Sequence, residues 1–406
     1  MAKVSQTARE SERLRLLQEE DLQRWLVRAS AMCEQMDVRP NTENLLALHP
    51  SQTPVTRERL LEEACAIGEH LCRRAITSED MVVWMSPRLV TKSGEWAPRT
   101  VGIDWYDGIS GIALFLGYLG HITGEQKYKS LARLAVQSIR FKIEQYANRS
   151  RKIGAILFVA SRSAIYLFTH LGVLWNDGAL LREAEMLVNQ IPALIAQDKQ
   201  LDIISGTAGV IVSLLGLHTF VPSARIIEVA QLGGEHLLAQ ARQMKQGRGW
   251  YTISESPPLT GFSHGAAGIA YSLFWLAAVS KDARFYAMAL ESLAYERSLF
   301  SAEQNNWPDL RYIGQSESQI ANATLNFHHH WCHGAPGIGL ARLASLPYLN
   351  DGLVHEEIQA ALKTTLTESF GHNHSLCHGD FGNLEILLMA SQTIDPFYKE
   401  SVERIT

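Results

Sequence analysis

The sequence predicts an all-α protein, an α/α toroid made of a double ring of helices, and three observations carry that prediction. First, a Gly-x-x-Gly step opens an apolar segment at Gly108/Gly111, Gly206/Gly209, Gly265/Gly268, Gly334/Gly337 and Gly379/Gly382. A sixth apolar segment begins at Gly154 without the second glycine, and successive first glycines lie 46, 52, 59, 69 and 45 residues apart. Periods of this length mark a repeat architecture. Second, more polar helical stretches such as 127–147 and 179–197 separate the apolar ones. An apolar helix must be covered on most sides, whereas an amphipathic one can face water. Apolar helices inside and amphipathic helices outside satisfy both demands; an open solenoid would leave the inner set partly bare. Third, no strand-period alternation of any length competes.

Taken in order, the chain begins with a charged amphipathic stretch over 7–36, striped by Leu14, Leu17, Leu22, Trp25 and Leu26. Residues 37–55 carry Pro40, Pro50 and Pro54 and read as a linker. Thr56 is placed to cap a helix whose apolar positions are Leu60, Ala64, Ile67 and Leu71. Residues 77–105 read as irregular, and the six repeats follow. The expected division is a helical leader and linker over 1–55 and one domain over 56–406.

Composition narrows the function. The 406 residues are 46% hydrophobic and 19% charged, enough for a large core. A net charge of -5 gives no reason to expect nucleic acid as a partner. No basic block suggests a membrane patch, and the start lacks the apolar core of a signal peptide. No uninterrupted apolar run approaches the ~20 residues that span a bilayer. A cytoplasmic protein without membrane contact is expected. Five cysteines are too few and too scattered for a disulfide scaffold; Cys65 and Cys72 sit in a helical pattern as buried thiols.

The chemistry concentrates in Trp331-Cys332-His333-Gly334 and its echo Cys377-His378-Gly379. Both cysteines precede repeat glycines in matching places. In a ring every inner helix starts at the same end, so the glycine turns converge on one mouth and bring Cys332, Cys377 and His378 together. Two thiolates and one imidazole suit zinc, and three protein ligands leave a position open, as in catalytic sites. Such a site can bind an incoming thiol and deliver it as thiolate. His264 holds the pre-glycine place one repeat earlier and suits proton transfer. Asp202, before another repeat start, could orient His264. The run His328-His329-His330 cannot aim three adjacent side chains at one ion, and His333 is a candidate to support the ligand set.

These residues resemble the cyclase domain of lanthionine synthetases, specifically the C-terminal half of the two-domain class II enzymes. The matching stretches are DWYDGISGIALFLGYLGHITG (104–124), LDIISGTAGVIVSLL (201–215), LTGFSHGAAGIAYSL (259–273), WCHGAPGIGLARL (331–343) and LCHGDFGNLEIL (376–387). The resemblance implies zinc held by Cys332, Cys377 and His378, with His264 and Asp202 on the acid/base positions. It also implies the reaction: a peptide cysteine adds to dehydroalanine or dehydrobutyrine in a dehydrated precursor peptide, closing a thioether ring.

The sequence departs from that pattern in three places. Only residues 1–55 could be a remnant of the dehydratase that precedes a class II cyclase, so a separate dehydratase is an expected partner. The chain stops at Thr406, before a further glycine-led repeat, so the ring is expected to be open or completed by another segment. Single-domain relatives place an arginine four residues before the first ligand cysteine, where this chain has His328. Two alternatives stand beside the cyclase: a non-catalytic or split-gene fragment that binds peptide as a scaffold, and another zinc-thiolate transferase on an α/α barrel.

Overall fold

The computed structural model describes residues 56–89, 96–147, 154–315, 319, 323–371 and 373–405; the leader and linker expected over 1–55 lie outside them. Helix α1 (Arg57–Arg74) starts where expected, its first turn capped by Thr56, whose Oγ1 accepts from Arg59 N at 3.3 Å. Two antiparallel hairpins follow, β1 (Ile76–Thr77) with β2 (Val82–Val83) and β3 (Met85–Leu89) with β4 (Trp96–Thr100). The remaining elements alternate between an inner and an outer ring. They are α2 (Ile109–Thr123), α3 (Gln126–Ala147), α4 (Gly154–Leu174), α5 (Gly178–Val188) with the short α6 (Ile191–Ile195), α7 (Thr207–Phe220) and α8 (Ala224–Gln240). After a third hairpin, β5 (Arg242–Gln243) with β6 (Arg248–Gly249), come α9 (Ala266–Ser280), α10 (Ala283–Arg297), α11 (Ala335–Ser345), α12 (Gly352–Glu368), α13 (Asp380–Thr393) and α14 (Phe397–Ile405).

Each glycine-led helix packs on the outer helix after it and on the next glycine-led helix, in the order α2, α4, α7, α9, α11, α13. This is the α/α toroid expected from the repeat. Inner helices such as α9 bury residues on every face (Ala267, Ala270, Phe274 and Leu276 among them). The outer helix α3 buries one stripe, Leu131, Ala132, Ala135, Val136, Ile139 and Ile143, and leaves the other face to water.

The glycine signature has a steric cause. The second glycine of each pair lies in the first helical turn against the carbonyl of the residue six positions earlier: Gly111 on Trp105, Gly209 on Ile203, Gly268 on Phe262, Gly337 on Trp331, Gly382 on Leu376. A Cβ at any of them would run into that backbone. Four inner helices also share one turn, in which a helix N–H reaches a carbonyl seven residues back: Ile109 to Gly102, Ala208 to Leu201, Ala266 to Leu259, Asp380 to Asn373. The fifth repeat differs. Ala335 N donates instead to Asn306 Oδ1 at 2.8 Å, and Gly334 sits at φ +93°, where a side chain would be strained.

One sequence expectation needs correction. The stretch 77–105 is not irregular throughout, because its short β runs pair locally into the hairpins above. One helix, Gly154–Leu174, is long and apolar enough to cross a membrane; Arg162 and His170 interrupt its apolar run without lowering its mean hydropathy far. It serves here as an inner-ring helix, 67% of its most apolar window buried in the fold.

Among the described residues no comparable packing joins α13 back to α2. A groove of about 670 Å³ lies along that side of α13, lined by Leu60, Leu376, Phe381, Leu384, Leu388 and Val402 with Arg57, Glu385 and Glu403 at its rim. Phe381 is 49% exposed and Leu388 39%. Full burial of such a side chain is worth about 1.5–3 kcal/mol, and these two have just under half of that left to gain. The isolated chain is therefore expected to self-associate, with a light-scattering mass that rises with concentration and falls in Phe381→Glu/Leu388→Glu. A monodisperse monomer at every concentration would contradict this.

Candidate functional site

Backbone hydrogen bonds stitch the starts of the inner helices into one mouth. Ile203 N donates to Ser263 O (3.2 Å), Ser263 N to Cys332 O (3.2 Å) and Cys332 N to Cys377 O (3.1 Å), linking four consecutive repeats. The second repeat joins through a side chain: Arg162, buried on α4, donates to Ile203 O at 2.7 Å and also to Ile204 O. Each chemistry-bearing residue stands on or beside this chain of amides.

Cys332, Cys377 and His378 meet there. Their ligand atoms all lie within 4.8 Å of one another, with Cys332 Sγ 3.9 Å from His378 Nδ1. Cys332 is buried, Cys377 half-buried and His378 exposed, so the cluster opens towards solvent. The Cys332 thiol is pushed well up by its hydrogen bond to Cys377 and by burial. Cys377 is lowered to about 6, first by the hydrogen bond that Cys332 donates and then by the charge of His378, against its own burial. Two cysteine sulfurs and one imidazole converging within 4.8 Å form a donor set suited to zinc. Cys65 and Cys72 are free and partly buried on α1, remote from the mouth.

His264 and Asp202 face the same opening. His264 Nδ1 lies 2.6 Å from Asp202 Oδ2, and the aspartate is fully buried. Its other oxygen accepts from Ser205 N (2.7 Å) and Gly206 N (3.1 Å). Asp202 therefore both caps the repeat and holds the histidine by its ring nitrogen. With Nδ1 donating to the carboxylate, Nε2 is left to exchange a proton with a substrate. The loop before His264 is held from behind: Gly261 N donates to Glu296 Oε1 at 2.8 Å, and Glu296 pairs with the buried Arg342 at 2.7 Å.

The three-histidine run disperses, as its geometry demanded. His328 Nε2 lies 3.4 Å from Asp309, His329 Nδ1 approaches Glu368 O at 3.4 Å, and the His330 ring stacks on His328 at 5.6 Å. The His333 ring lies 5.9 Å from that of His264. Burial, then the charge of Arg311, holds it neutral with a pKa of about 3. Arg311, paired with Asp309 at 2.6 Å, also bears on the Cys332 thiol. The sequence reading missed Arg162, Asn306 and Arg311, which reach the mouth from a helix interior and a long connection rather than from repeat positions.

The fold is a double ring of helices with an open Cys₂His cluster and a histidine–aspartate pair at its mouth. The family profile described as lanthionine synthetase C-like protein matches residues 100–405, and the chain belongs to that family. Among solved structures it is similar to nisin cyclase, at 17% identity and a TM-score of 0.58 over 84% of this chain and 85% of that one. That likeness shows the fold. Weaker resemblances reach D-mannose isomerase (9% identity, TM-score 0.49, 85% and 96% covered) and cellobiose 2-epimerase from Bacillus thermoamylovorans (9%, 0.45, 78% and 90%). No curated protein matches the sequence.

Proposed function

We propose that the protein is a zinc-dependent peptide cyclase that adds cysteine thiols to dehydroalanine or dehydrobutyrine in a dehydrated precursor peptide. The observation that carries this reading is a three-donor metal cluster sharing one opening with a carboxylate-oriented histidine. The residues fit the metal: two thiols and an imidazole converge, with no fourth protein ligand in the group among the described residues, so a position is left for a substrate sulfur. A bound zinc ion would supply the positive charge that turns an incoming thiol into a thiolate near neutral pH.

The residues of the chain do the rest. Cys332, Cys377 and His378 fix where the peptide sulfur sits. His264 lies near enough to Cys377 to bear on it electrostatically. As the S–C bond forms at the β-carbon, the C=C π pair moves to the α-carbon, and His264 Nε2 is placed to manage the proton delivered there. Asp202 holds the tautomer and ring plane. The product has the mass of the reactant, and only the free thiol and the double bond disappear.

The test follows from that balance. The zinc-loaded protein, incubated with a dehydrated cysteine-containing peptide, is expected to leave its mass unchanged while abolishing alkylation of its thiols. Thiols that stay alkylatable at the rate of the peptide alone would exclude cyclase activity.

A further inference from the structure

A row of aromatic side chains leads away from the metal cluster. Trp331, next to Cys332, packs at 6.0 Å from the Tyr106 ring, Tyr106 at 5.0 Å from Trp105, and Trp105 at 4.4 Å from Tyr166 on α4. Tyr166 packs at 4.3 Å on His170, one helical turn further on, and His170 Nδ1 meets Tyr118 OH of α2 at 3.0 Å. Tyr106 begins the row beside the chemistry, within the electrostatic reach of both Cys377 and Asp202.

Beyond Trp331, the rings of this row come from the segment before α2 and from the inner-ring helices α2 and α4. Tyr166 on α4 is influenced by Tyr118 on α2 and by Glu385 on α13, and Tyr271 on α9 is influenced by Tyr166. Trp105, Tyr106, Tyr166 and His170 all keep part of their surface open, and Tyr118 is 38% exposed. Core packing would have covered them. Burial lowers the pKa of His170, so the row presents a neutral surface.

We propose that this aromatic strip seats the dehydrated segment of the peptide substrate and distinguishes it from the undehydrated one. The inference rests on the cyclase reading above. A dehydroamino acyl unit is flat and conjugated, and it has lost the hydroxyl of its serine or threonine precursor. Its π face can lie on Trp105 or Tyr166 as aromatic faces lie on one another. A serine residue, tetrahedral and hydroxylated, would lose a water partner there and gain no stacking. The strip would therefore hold acceptor sites at the mouth while leaving cysteines to the metal cluster.

Binding without turnover tests this. A peptide with its cysteines changed to serine cannot cyclise, so its dehydroalanine form and its serine form can be compared by Trp fluorescence and calorimetry on the intact zinc-loaded protein. The dehydrated form is expected to bind about tenfold more tightly, the scale of one or two good aromatic contacts. Trp105→Ala and Tyr166→Leu are expected to erase that difference with metal content and helical circular dichroism unchanged. Tyr166→Phe, which keeps the ring, should retain it. Equal affinity for the two peptides in the wild type, or a preference that survives in the folded Trp105→Ala and Tyr166→Leu proteins, would overturn the strip as a recognition site. Failure of the cyclisation assay alone would instead remove the cyclase reading and leave the binding result standing.

Discussion

Replacing Cys332 or Cys377 by alanine is expected to remove essentially all bound zinc and, with it, measurable cyclisation. The three candidate donors converge within 4.8 Å, and no fourth joins the group among the described residues. Each variant would be left with two ligands, below the three that a catalytic zinc requires. Metal analysis of the purified proteins checks the stoichiometry. Cobalt substitution checks the ligand type, since thiolate-to-cobalt charge transfer should weaken when either cysteine is lost. Cys72→Ala, altered on α1 away from the mouth, should keep both metal and activity. Full zinc content in Cys332→Ala or Cys377→Ala would end the assignment.

The second large effect is expected at His264. In His264→Ala the metal should remain, because the histidine is bound to Asp202 rather than to the cluster. Thiol addition should slow by about 10² or more, the usual consequence of losing a positioned acid/base group. Asp202→Asn should slow it too, by misplacing the imidazole, while Asp202→Ala should also cost stability by releasing Ser205 N and Gly206 N. The decisive measurement pairs zinc content with the rate of thiol loss from a dehydrated peptide. A wild-type rate in His264→Ala would reduce the histidine to a structural part.

Much of this was legible in the sequence because the repeat carries its own sterics. A glycine six residues after a carbonyl it must touch leaves a fixed mark, so Gly111, Gly209, Gly268, Gly337 and Gly382 announced five turns at one mouth. Cys332, Cys377, His264 and Asp202 all lie just before such turns, and their convergence followed from the ring. Residues acting from outside the repeat register could not be found that way. Asn306 substitutes for a backbone acceptor in the fifth repeat, and Arg162 reaches two carbonyls from the middle of a helix; neither position is marked by spacing. The hairpins over 76–100 escaped because strands of two to five residues are too short for alternation to show. Gly154–Leu174 passed as unremarkable in hydropathy because Arg162 interrupts its run, although the ring buries that residue and its two Nη atoms donate to Ile203 O and Ile204 O.

The stitching of the mouth bears on how the site comes into being. Its two chemical halves are nearest-neighbour affairs: the donors close over 46 residues between the fifth and sixth repeats, and the His264–Asp202 pair over 62 between the third and fourth. They are coupled through one seam, where Ser263 meets Cys332 across 69 residues by both its amide and its hydroxyl. Linear repeat proteins fold by such local docking, each unit adding its own interface term. Each half can therefore form before the other, without the loop-closure entropy of joining distant ends. The candidate site is in this sense two locally assembled halves, coupled by the Ser263–Cys332 seam that sets their distance.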